Sequence, residues 1–342
     1  MKKHFIKNKK IVIIGGAGFI GHNLSLELKK LRANITVIDN LKVNNLYSLN
    51  HKSSKFPFPK LTKKIVIERL RLLKKNKIKI YKTDARDHKK LHLVLNKIKP
   101  NVIIHLAALV GFPVCRLNPQ LAEETNVDGT TNLINSCTDD QVIFYGSTGS
   151  NYGAVTDICT EETPLHPLSL YGETKTKAEQ LLMERENTIA YRFATAFGVS
   201  PRFRLDLLIN DFSYKCIKDG YLVVYEKNYM RTFIHVSDIA NCFMFGIENM
   251  NTMMGNVFNV GDDRMNHSKE EVCDMIGKKT GAFIHYEEIG EDADKRNYVV
   301  SYDKISSLGF RTIVSVEEGI NEVINALKVT DFQNKYTNAK YY

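Results

Sequence analysis

Apolar runs alternate with amphipathic segments along the first 195 residues of the chain. The segments between the runs repeat apolar residues at helical spacing, as Leu24, Leu28 and Leu31 do. Continuous apolar strands separated by helices are typical of a parallel sheet that helices cover on both faces. The pattern therefore predicts a doubly wound α/β domain, with strands at 11–14, 35–38, 78–81, 102–107, 142–145 and 189–193.

The alternation becomes less regular after Phe193. We expect the second half to contain a helix near 206–219, strands at 222–225 and 231–235, a helix from Ser237 and a strand at 256–261. This half has no glycine-rich turn of its own. We therefore predict a larger domain over 1–195 and a smaller C-terminal substrate lobe over 196–342, and leave open whether 232–262 returns to the main sheet.

A glycine-rich turn at 15–21 follows the first strand and opens the first helix. Its glycines permit a tight turn, close approach to a pyrophosphate and close packing of the helix on the strand. The positive end of the helix attracts the phosphates. The second strand ends at Asp39, where a carboxylate accepts the ribose hydroxyls of NAD and repels the 2′-phosphate of NADP. Lys42 weakens this preference without reversing it, so a Rossmann domain that binds NAD is predicted.

Tyr171 and Lys175 stand four residues apart in a segment of helix-forming composition. Residues at that spacing share a helix face, so the ammonium can stabilise the phenolate. A Tyr of ordinary pKa, about 10, then becomes a proton acceptor near neutral pH. Alone, such a pair also describes a solvated helix end, but its position downstream of the glycine-rich turn favours catalysis.

The chain has a formal net charge of +10, with lysines concentrated at the N-terminus and between Lys52 and Lys82. A basic balance suits either nucleic acid or a doubly anionic substrate. Aromatic residues are not interleaved with the lysines, so we do not expect nucleic-acid binding.

No apolar stretch approaches the ~20 residues of a membrane span, and the N-terminus lacks a signal-peptide core. A cytoplasmic protein is expected.

Six cysteines are scattered without the spacing of a metal site or a disulfide framework, so neither is expected. They are interpreted as reduced core or surface thiols. Cys115 alone follows a strand at the carboxyl edge of the predicted sheet, where ligands bind.

The interval 44–76 is longer than a crossover needs. Prolines interrupt its first part, residues 61–73 can form a helix, and we interpret it as an insertion over the cofactor or at a subunit contact.

Taken together, these motifs resemble the extended short-chain dehydrogenases/reductases of the nucleotide-sugar epimerase/dehydratase group, from about Lys10 to Leu327. Any one motif is weak, but their order along the chain is specific. Besides the glycine-rich turn and the Tyr171/Lys175 pair, they are Asp84-Ala85-Arg86-Asp87, His105-Leu106-Ala107-Ala108, Asn126-Val127-Asp128-Gly129-Thr130, Ser147-Thr148, Asn151-Tyr152-Gly153, Arg231-Thr232-Phe233-Ile234-His235-Val236-Ser237-Asp238 and Phe258-Asn259-Val260-Gly261.

The resemblance implies roles for individual residues. Asp84 would bind the adenine amino group, with Ala85 against the ring, and small residues at 107 and 108 would form the wall beside NAD. Asn126 would lie near the nicotinamide ribose, although an Asn helix cap explains it equally well. The implied cofactor-binding residues are Gly15, Gly18, Phe19, Ile20, Gly21, Asp39, Asn40, Asp84, Ala85, Leu106, Ala107, Ala108, Asn126, Tyr171 and Lys175.

The resemblance also implies a catalytic set and a substrate set. Thr148 would bind the reacting sugar hydroxyl, Tyr171 would act as general base and acid, and Lys175 would bind the nicotinamide ribose while lowering the Tyr pKa. Arginines would grip the substrate diphosphate, because guanidinium groups bind phosphate in a bidentate way; structural salt bridges are their alternative role. The implied substrate-binding residues are Thr148, Thr195, Arg204, Asn210, Arg231 and Arg296.

Two departures from the family pattern restrict the expected reaction. Dehydratases of the family, which remove water across C5 and C6 of the sugar, carry an Asp-Glu pair directly after the Thr, where this chain has Gly149 and Ser150. In a 3,5-epimerising branch, the second of these places holds a Cys. Thr195 stands where many members have an Asn. The chain is therefore expected not to be a 4,6-dehydratase.

The expected chemistry is NAD-dependent oxidation and reduction at C4 of a nucleotide-diphospho-sugar. A 4-epimerase is favoured; a 4-dehydrogenase or a 4-keto reductase uses the same three catalytic residues and stays open. A rival interpretation, favoured by the basic charge, is a non-catalytic NAD-sensing or RNA-binding protein with the same fold. The complete catalytic set argues against that rival. By resemblance, helices at about 119–137 and 171–185 would pair in a homodimer.

Overall fold

The computed structural model describes residues 5–42, 59–290 and 297–329. The predicted polar tail from Asp331, Arg296 and the proline-containing stretch of the insertion lie outside the described residues. In the part of the chain that is described, no helix combines the length and the apolar character needed to cross a membrane.

Fourteen strands and thirteen helices, together with three short turns, make up the described chain. The strands are β1 Lys10–Ile14, β2 Asn34–Asp39, β3 Lys79–Lys82, β4 Val102–His105, β5 Val142–Thr148, β6 Ala154–Cys159, β7 Thr188–Phe193, β8 Thr195–Phe197, β9 Tyr221–Tyr225, β10 Met230–His235, β11 Asn256–Val260, β12 Asn266–Ser268, β13 Phe283–Glu287 and β14 Asn297–Val300. The helices are α1 Phe19–Lys30, α2 Pro59–Lys75, α3 His88–Ile98, α4 Phe112–Leu117, α5 Pro119–Glu123, α6 Gly129–Ile134, α7 Leu170–Met183, α8 Leu208–Asp219, α9 Val236–Glu248, α10 Met250–Met253, α11 Lys269–Thr280, α12 Asp303–Ser307 and α13 Val316–Val329. The turns are a π-helical segment at Glu124–Asp128 and 3-10 segments at Gly149–Asn151 and Asp263–Met265.

Seven strands form the central parallel sheet in the order β11-β7-β5-β4-β1-β2-β3. Side chains of β1 alternate between the two faces: Ile11 and Ile13 join the core under α1 and α9, while Val12 and Ile14 join the core under α3, α6 and α7. Both sets are apolar because helices cover both faces of the sheet. The doubly wound α/β fold predicted from the alternation is confirmed.

Strand β1 pairs with both β2 and β4, so the strand order reverses direction around it. A reversal of this kind opens a crevice at the carboxyl ends of the neighbouring strands, because the loops that follow them turn to opposite faces. The glycine-rich turn follows β1, and Leu106 follows β4. Both therefore meet at this crevice.

The second half builds smaller sheets around its own apolar core. Strand β10 pairs with β8 and β12, β9 pairs with β13, and β14 pairs with β6. Residues of β8, β10, α8, α11 and α13 share a separate buried cluster that includes Phe197, Phe233, Ile276 and Ile320. Strand β11, in contrast, extends the main sheet beside β7, and α9 packs against α1. The division into two domains at residue 195 stays a prediction.

The insertion after β2 contributes helix α2, which confirms the helix expected over 61–73. Buried Leu73 joins the core with Leu28 and Ile35, and His22 of α1 bonds the Arg69 carbonyl at 3.0 Å. Burial lowers the pKa of His22 to about 4, so this imidazole is neutral near pH 7 and donates that bond. Helix α2 is thus fixed to the sheet side of α1.

Asp238 anchors the segment that precedes α13. Its carboxylate is fully buried in the first turn of α9 and accepts hydrogen bonds from the main-chain nitrogens of Ile313 and Val314, both at 3.0 Å. Asn241 donates a further bond at 3.3 Å. A buried carboxylate needs such partners to offset its lost hydration.

Asp238→Ala should lower the free energy of unfolding by about 2–4 kcal/mol, because the main-chain donors of Ile313 and Val314 lose a fully buried carboxylate acceptor. Equilibrium urea unfolding measures the change. Asp140→Ala, at an exposed position, is the matched control and should stay within about 0.5 kcal/mol of wild type. Equal stability of Asp238→Ala and the control would contradict the anchoring role.

Candidate active site

The glycine-rich turn is shaped by close backbone contacts. Gly15 has a φ of +81°, and a Cβ there would lie 2.7 Å from the main-chain nitrogen of Ala107. At Gly21, a Cβ would lie 2.5 Å from the Gly15 carbonyl oxygen. No side chain caps the N-terminus of α1, whose first turn contains no acidic residue. The turn therefore fits a pyrophosphate held by main-chain N–H groups and the positive helix end.

Asp39 ends β2 with its carboxylate beside this turn. One oxygen accepts the Ala17 N–H at 3.0 Å and the other accepts the Leu41 N–H at 2.8 Å. Sequence reasoning missed Arg69, whose guanidinium is buried nearby. Burial lowers the pKa of Arg69, and the Asp39 carboxylate opposes that shift. No local motif marks Arg69, because only the packing of α2 brings it to Asp39.

Asp84 lies in a cluster of charged and polar groups at the end of β3. Arg86 donates to both of its oxygens at 3.1 Å, Asn40 donates at 3.1 Å, and the Lys42 ammonium lies 3.4 Å away. Burial would raise the pKa of Asp84, but these hydrogen bonds, chiefly those from Arg86, hold it well below its usual range. Lys42, expected to weaken the effect of Asp39, pairs with Asp84. Ala85 is buried next to it.

Tyr171 and Lys175 lie on α7, as the sequence predicts. Ser169 caps this helix by accepting the Gly172 N–H at 3.2 Å. Tyr171 packs against a small cluster that contains Leu109 and Cys115. Ser169 and the helix-forming residues after it explain why the segment is helical here.

The Lys175 ammonium is buried at the edge of the sheet. It donates to the Gly146 carbonyl at 2.6 Å and lies 3.9 Å from the centre of the Tyr145 ring. Burial lowers the pKa of Lys175 to about 7, and the Glu179 carboxylate opposes that shift. Burial and the Lys175 charge lower the pKa of His105 to about 3, so this neighbour is neutral.

Cys115 belongs to the same buried neighbourhood. Its thiol donates to the Leu109 carbonyl at 3.4 Å, and its side chain is fully buried. Burial raises the pKa of Cys115 to about 12, against the opposing charge of Lys175. A protonated, inaccessible thiol is a poor nucleophile, which agrees with a core thiol at this position.

Thr148 is the last residue of β5, two residues beyond the carbonyl that Lys175 binds. Its hydroxyl donates to Ser150 Oγ and accepts the Ser150 N–H, both at 3.1 Å. The Lys175 ammonium therefore contacts the backbone of β5 two residues before Thr148. Lys175 holds that stretch through a charged hydrogen bond.

The space beside Gly149 is filled by Tyr298 of β14. A Cβ at Gly149 would lie 3.2 Å from the Tyr298 hydroxyl oxygen and 3.5 Å from the Phe193 carbonyl oxygen. Tyr298 is buried and packs edge-on against Tyr152. Sequence reasoning missed Tyr298, since nothing local connects residues about 150 positions apart. A larger side chain at 149 requires Tyr298 to shift.

Asn126 binds the loop after β4 to α7. Its oxygen accepts the Leu109 N–H at 2.7 Å, and its nitrogen donates to the Leu109 carbonyl at 3.1 Å and to Thr174 Oγ1 at 2.9 Å. The alternative of an Asn helix cap is wrong, because Asn126 lies inside the π-helical segment and bonds residues distant in sequence. Its predicted place near the nicotinamide ribose stays a prediction.

Apart from Thr148, the described members of the predicted substrate set follow β7 along the chain. Arg204 pairs with Asp206 at 2.6 Å. Asn210 is fully buried and binds the Gly198 main chain through both ends of its amide, at 3.2 and 3.0 Å. These contacts give Asn210 a role in fixing the loop that carries Arg204. Thr195 begins β8, buried Arg231 donates to the Met230 carbonyl at 3.0 Å, and Arg296 lies outside the described residues.

Comparison with known proteins gives several full-length similarities. A putative UDP-glucose 4-epimerase of Methanocaldococcus jannaschii is 26% identical, over 93% of this chain and 98% of that protein. A crystal structure of a UDP-glucuronic acid 4-epimerase from Bacillus cereus, in complex with UDP-glucuronic acid and NAD, has a TM-score of 0.77 at 22% identity, covering 93% of this chain and 99% of that one.

A dTDP-glucose 4,6-dehydratase structure from Bacillus anthracis, in complex with NAD, is also similar. Its TM-score is 0.74 at 22% identity, and the match covers 96% of this chain and 99% of that chain. At such identities, the structural matches establish the shared fold. The fold alone does not separate epimerases from dehydratases.

The model of one protein family matches residues 11–261, from β1 to the end of the motif after β11. This span contains the glycine-rich turn, Asp39, Thr148 and the Tyr171/Lys175 pair. The resemblance to the nucleotide-sugar epimerase/dehydratase group and the dependence on NAD, both expected from the sequence, are confirmed. The chain belongs to the NAD-dependent epimerase/dehydratase family.

Proposed function

We propose that this protein is a nucleotide-sugar 4-epimerase. The observation that carries the proposal is the arrangement of Thr148 at the end of β5, with Lys175 bound two residues away and Tyr171 one turn before Lys175 on α7. A hydroxyl, a phenol and a buried ammonium are the groups that removal of a proton from a sugar hydroxyl requires. The M. jannaschii and B. cereus relatives, named as 4-epimerases, support the same class.

The crevice residues would hold the cofactor. The 15–21 turn would bind the pyrophosphate, Asp39 the adenosine ribose and Asp84 the adenine, while Ala107 and Ala108 leave the wall beside them small. When bound, NAD supplies the acceptor and donor for the hydride at C4 of the sugar. The residues of the chain do the binding, the orientation and the proton transfer.

Tyr171 would take the proton from the C4 hydroxyl and later return it. Thr148 would accept or donate a hydrogen bond at the same sugar oxygen and fix its direction. A protonated Lys175 would stabilise the Tyr171 phenolate, because opposite charges attract strongly in a buried site. The 4-keto sugar then either turns in the site and is reduced on its other face, which is epimerisation, or leaves as the product of a dehydrogenase.

Absence of the dehydratase carboxylates supports action at C4 alone. Elimination of water needs an acid near C6 and a base near C5, and Gly149 and Ser150 supply neither. Any side chain at position 149 would also crowd the Tyr298 hydroxyl, since a Cβ there would lie 3.2 Å from it. Because a 4,6-dehydratase shares the fold, the restriction to chemistry at C4 is part of the proposed function.

The substrate diphosphate would lie against the smaller lobe, where Arg204, Arg231 and Arg296 would provide positive charge. Thr195 and the loop fixed by Asn210 would line the same region. Helices α5 to α7 would meet their twofold copies in a homodimer, as the family resemblance implies.

Tyr171→Phe should lower kcat by at least ~10² while NAD binding stays nearly unchanged, because the phenol transfers a proton but the ring is retained. The assay follows C4 epimers of UDP-, GDP-, dTDP- and CDP-hexoses by NMR, and calorimetry measures NAD binding. Tyr225→Phe, at the exposed last residue of β9, is the control and should keep wild-type turnover. Comparable turnover in Tyr171→Phe would remove Tyr171 from the mechanism.

Cofactor preference depends on the charge of Asp39. Wild-type protein should bind NAD(H) more tightly than NADP(H), and Asp39→Asn should reduce that ratio about tenfold or more, because the repulsion of a 2′-phosphate is lost. Calorimetry with both cofactors measures it. Asp87→Asn, at the cap of α3, should leave the ratio unchanged. Equal or tighter binding of NADP by wild type would show that a cation such as Arg69 dominates there.

Turnover in deuterated water decides the reaction type. Because action at C4 alone neither removes the C5 proton nor eliminates the C6 hydroxyl, the product should carry no deuterium at C5 and should retain the C6 hydroxyl. NMR and mass spectrometry of the product measure both. A C4 epimer identifies the epimerase, whereas an accumulating 4-keto sugar identifies the dehydrogenase. Deuterium at C5, or a 6-deoxy-4-keto product, would refute action at C4 alone.

A further inference from the structure

Glu179 is a buried acid on α7, one turn beyond Lys175, with only 2% of its surface exposed. Arg192 of β7 donates to one carboxylate oxygen at 2.6 Å and 3.1 Å, and to the other at 3.2 Å. Ser147 of β5 donates to the second oxygen at 2.5 Å. An isolated buried carboxylate is costly, and these three donor groups offset its lost hydration.

Helix α7 holds the end of β5 at two consecutive residues. Lys175 binds the Gly146 carbonyl at 2.6 Å, and Glu179 accepts from the Ser147 hydroxyl. The next residue is Thr148. Residues four apart on a helix share one face, so both contacts come from the face of α7 that meets the sheet. The two contacts together set the register of α7 against Thr148.

A wider network supports the Glu179–Arg192 pair. Asn151 donates to Ser147 Oγ at 3.2 Å and to Glu179 at 3.3 Å. Arg192 also donates to the Tyr152 hydroxyl at 3.1 Å, and that hydroxyl donates to Asn259 Oδ1 at 2.6 Å. The pair therefore connects α7 to β5, β7 and β11, and its geometry allows little movement of Glu179.

The charge of Glu179 acts on Lys175 as well. The other groups near Lys175 are the Tyr145 ring, the imidazole of His105 and the thiol of Cys115. Burial disfavours the Lys175 ammonium, and Glu179 is the carboxylate that opposes this. Tyr145 and Cys115 have raised pKa values because of burial, so neither carries negative charge near pH 7.

We propose that Glu179 is a positioning residue for this site: it holds the helix that carries Tyr171 and Lys175 in register with Thr148, and it places a negative charge one helical turn from the Lys175 ammonium. Its catalytic consequence rests on the proposed function. The effect on Lys175 is a property of the protein without ligands. Buried ion pairs are weak evidence for stability, and replacement by apolar residues is often neutral, so the test must separate positioning from folding.

The first arm measures the free energy of unfolding in urea from about pH 5 to about pH 10.5 without ligands. Because the pKa of Lys175 is about 7 in the folded protein and about 10.4 when unfolded, the unfolded chain binds more protons between these values, and stability rises with pH. Glu179→Gln lowers the folded pKa further, so the rise should begin about one pH unit lower. In a Lys175→Met background, the same substitution should leave the shape of the profile unchanged.

The second arm measures kcat against pH on the nucleotide-sugar that the NMR panel identifies. Activity needs protonated Lys175, so kcat falls at alkaline pH, and in Glu179→Gln this alkaline limb of the pH profile should lie about one pH unit lower. Glu179→Asp keeps the negative charge, but its side chain is one methylene too short to reach Ser147. It should lower kcat while the alkaline limb stays at its wild-type pH. Ser147→Ala should also lower kcat without moving the limb. Should Glu179→Gln fail to fold because Arg192 is left unpaired, Glu179→Gln/Arg192→Met replaces it.

The outcomes separate the two proposals. A stability profile and an alkaline limb that stay at their wild-type pH in Glu179→Gln would overturn the role of Glu179 even if sugars are turned over. A shifted stability profile without turnover of any sugar supports the assigned charge effect and counts against the proposed function. A shift of both the stability profile and the alkaline limb in Glu179→Gln, with the alkaline limb of Glu179→Asp and Ser147→Ala at its wild-type pH, supports both the role of Glu179 and the proposed function.

Discussion

Burial of the central sheet on both faces confines polar chemistry to the ends of its strands. An ionised group among the apolar side chains of the sheet faces would lose hydration at a large cost, whereas the carboxyl ends offer main-chain donors and a helix N-terminus. Gly15, Asp39, Ala107 and Thr148 end or follow β1, β2, β4 and β5, respectively. Four elements that are distant in sequence therefore contribute to one crevice because the strands are parallel.

Two buried ions at this edge are stabilised in different ways. Lys175 has a main-chain carbonyl and an aromatic face as neighbours, which favour a cation but leave much of the desolvation cost in place. Glu179 has a guanidinium and a hydroxyl in direct contact. Direct donors therefore offset the lost hydration of the carboxylate, while burial lowers the pKa of the ammonium to about 7. Proton chemistry near neutral pH benefits from a group poised in this way.

Local sequence patterns predicted the strands, the glycine-rich turn, Asp39 and the α7 pair, because each depends on neighbours within a few residues. The π-helical setting of Asn126, the approach of Arg69 to Asp39, and the Tyr298 hydroxyl over Gly149 depend on tertiary packing, which no local spacing encodes. Glu179 could be predicted only in part. Its spacing from Lys175 is visible in the sequence, but an acid at such a helix position usually faces solvent. Only its contacts with Arg192 and Ser147 show that it is buried.

Strand β11 completes the main sheet although about 60 residues of the smaller lobe separate it from β7. Cutting the chain after β7 would remove β11 and α9 together. The apolar strand Thr188–Phe193, buried along its whole length, would become a bare sheet edge with unpaired N–H and C=O groups. Such an edge recruits other strands, so a fragment that ends near residue 195 would tend to aggregate. The main sheet is therefore complete only when the chain extends through β11.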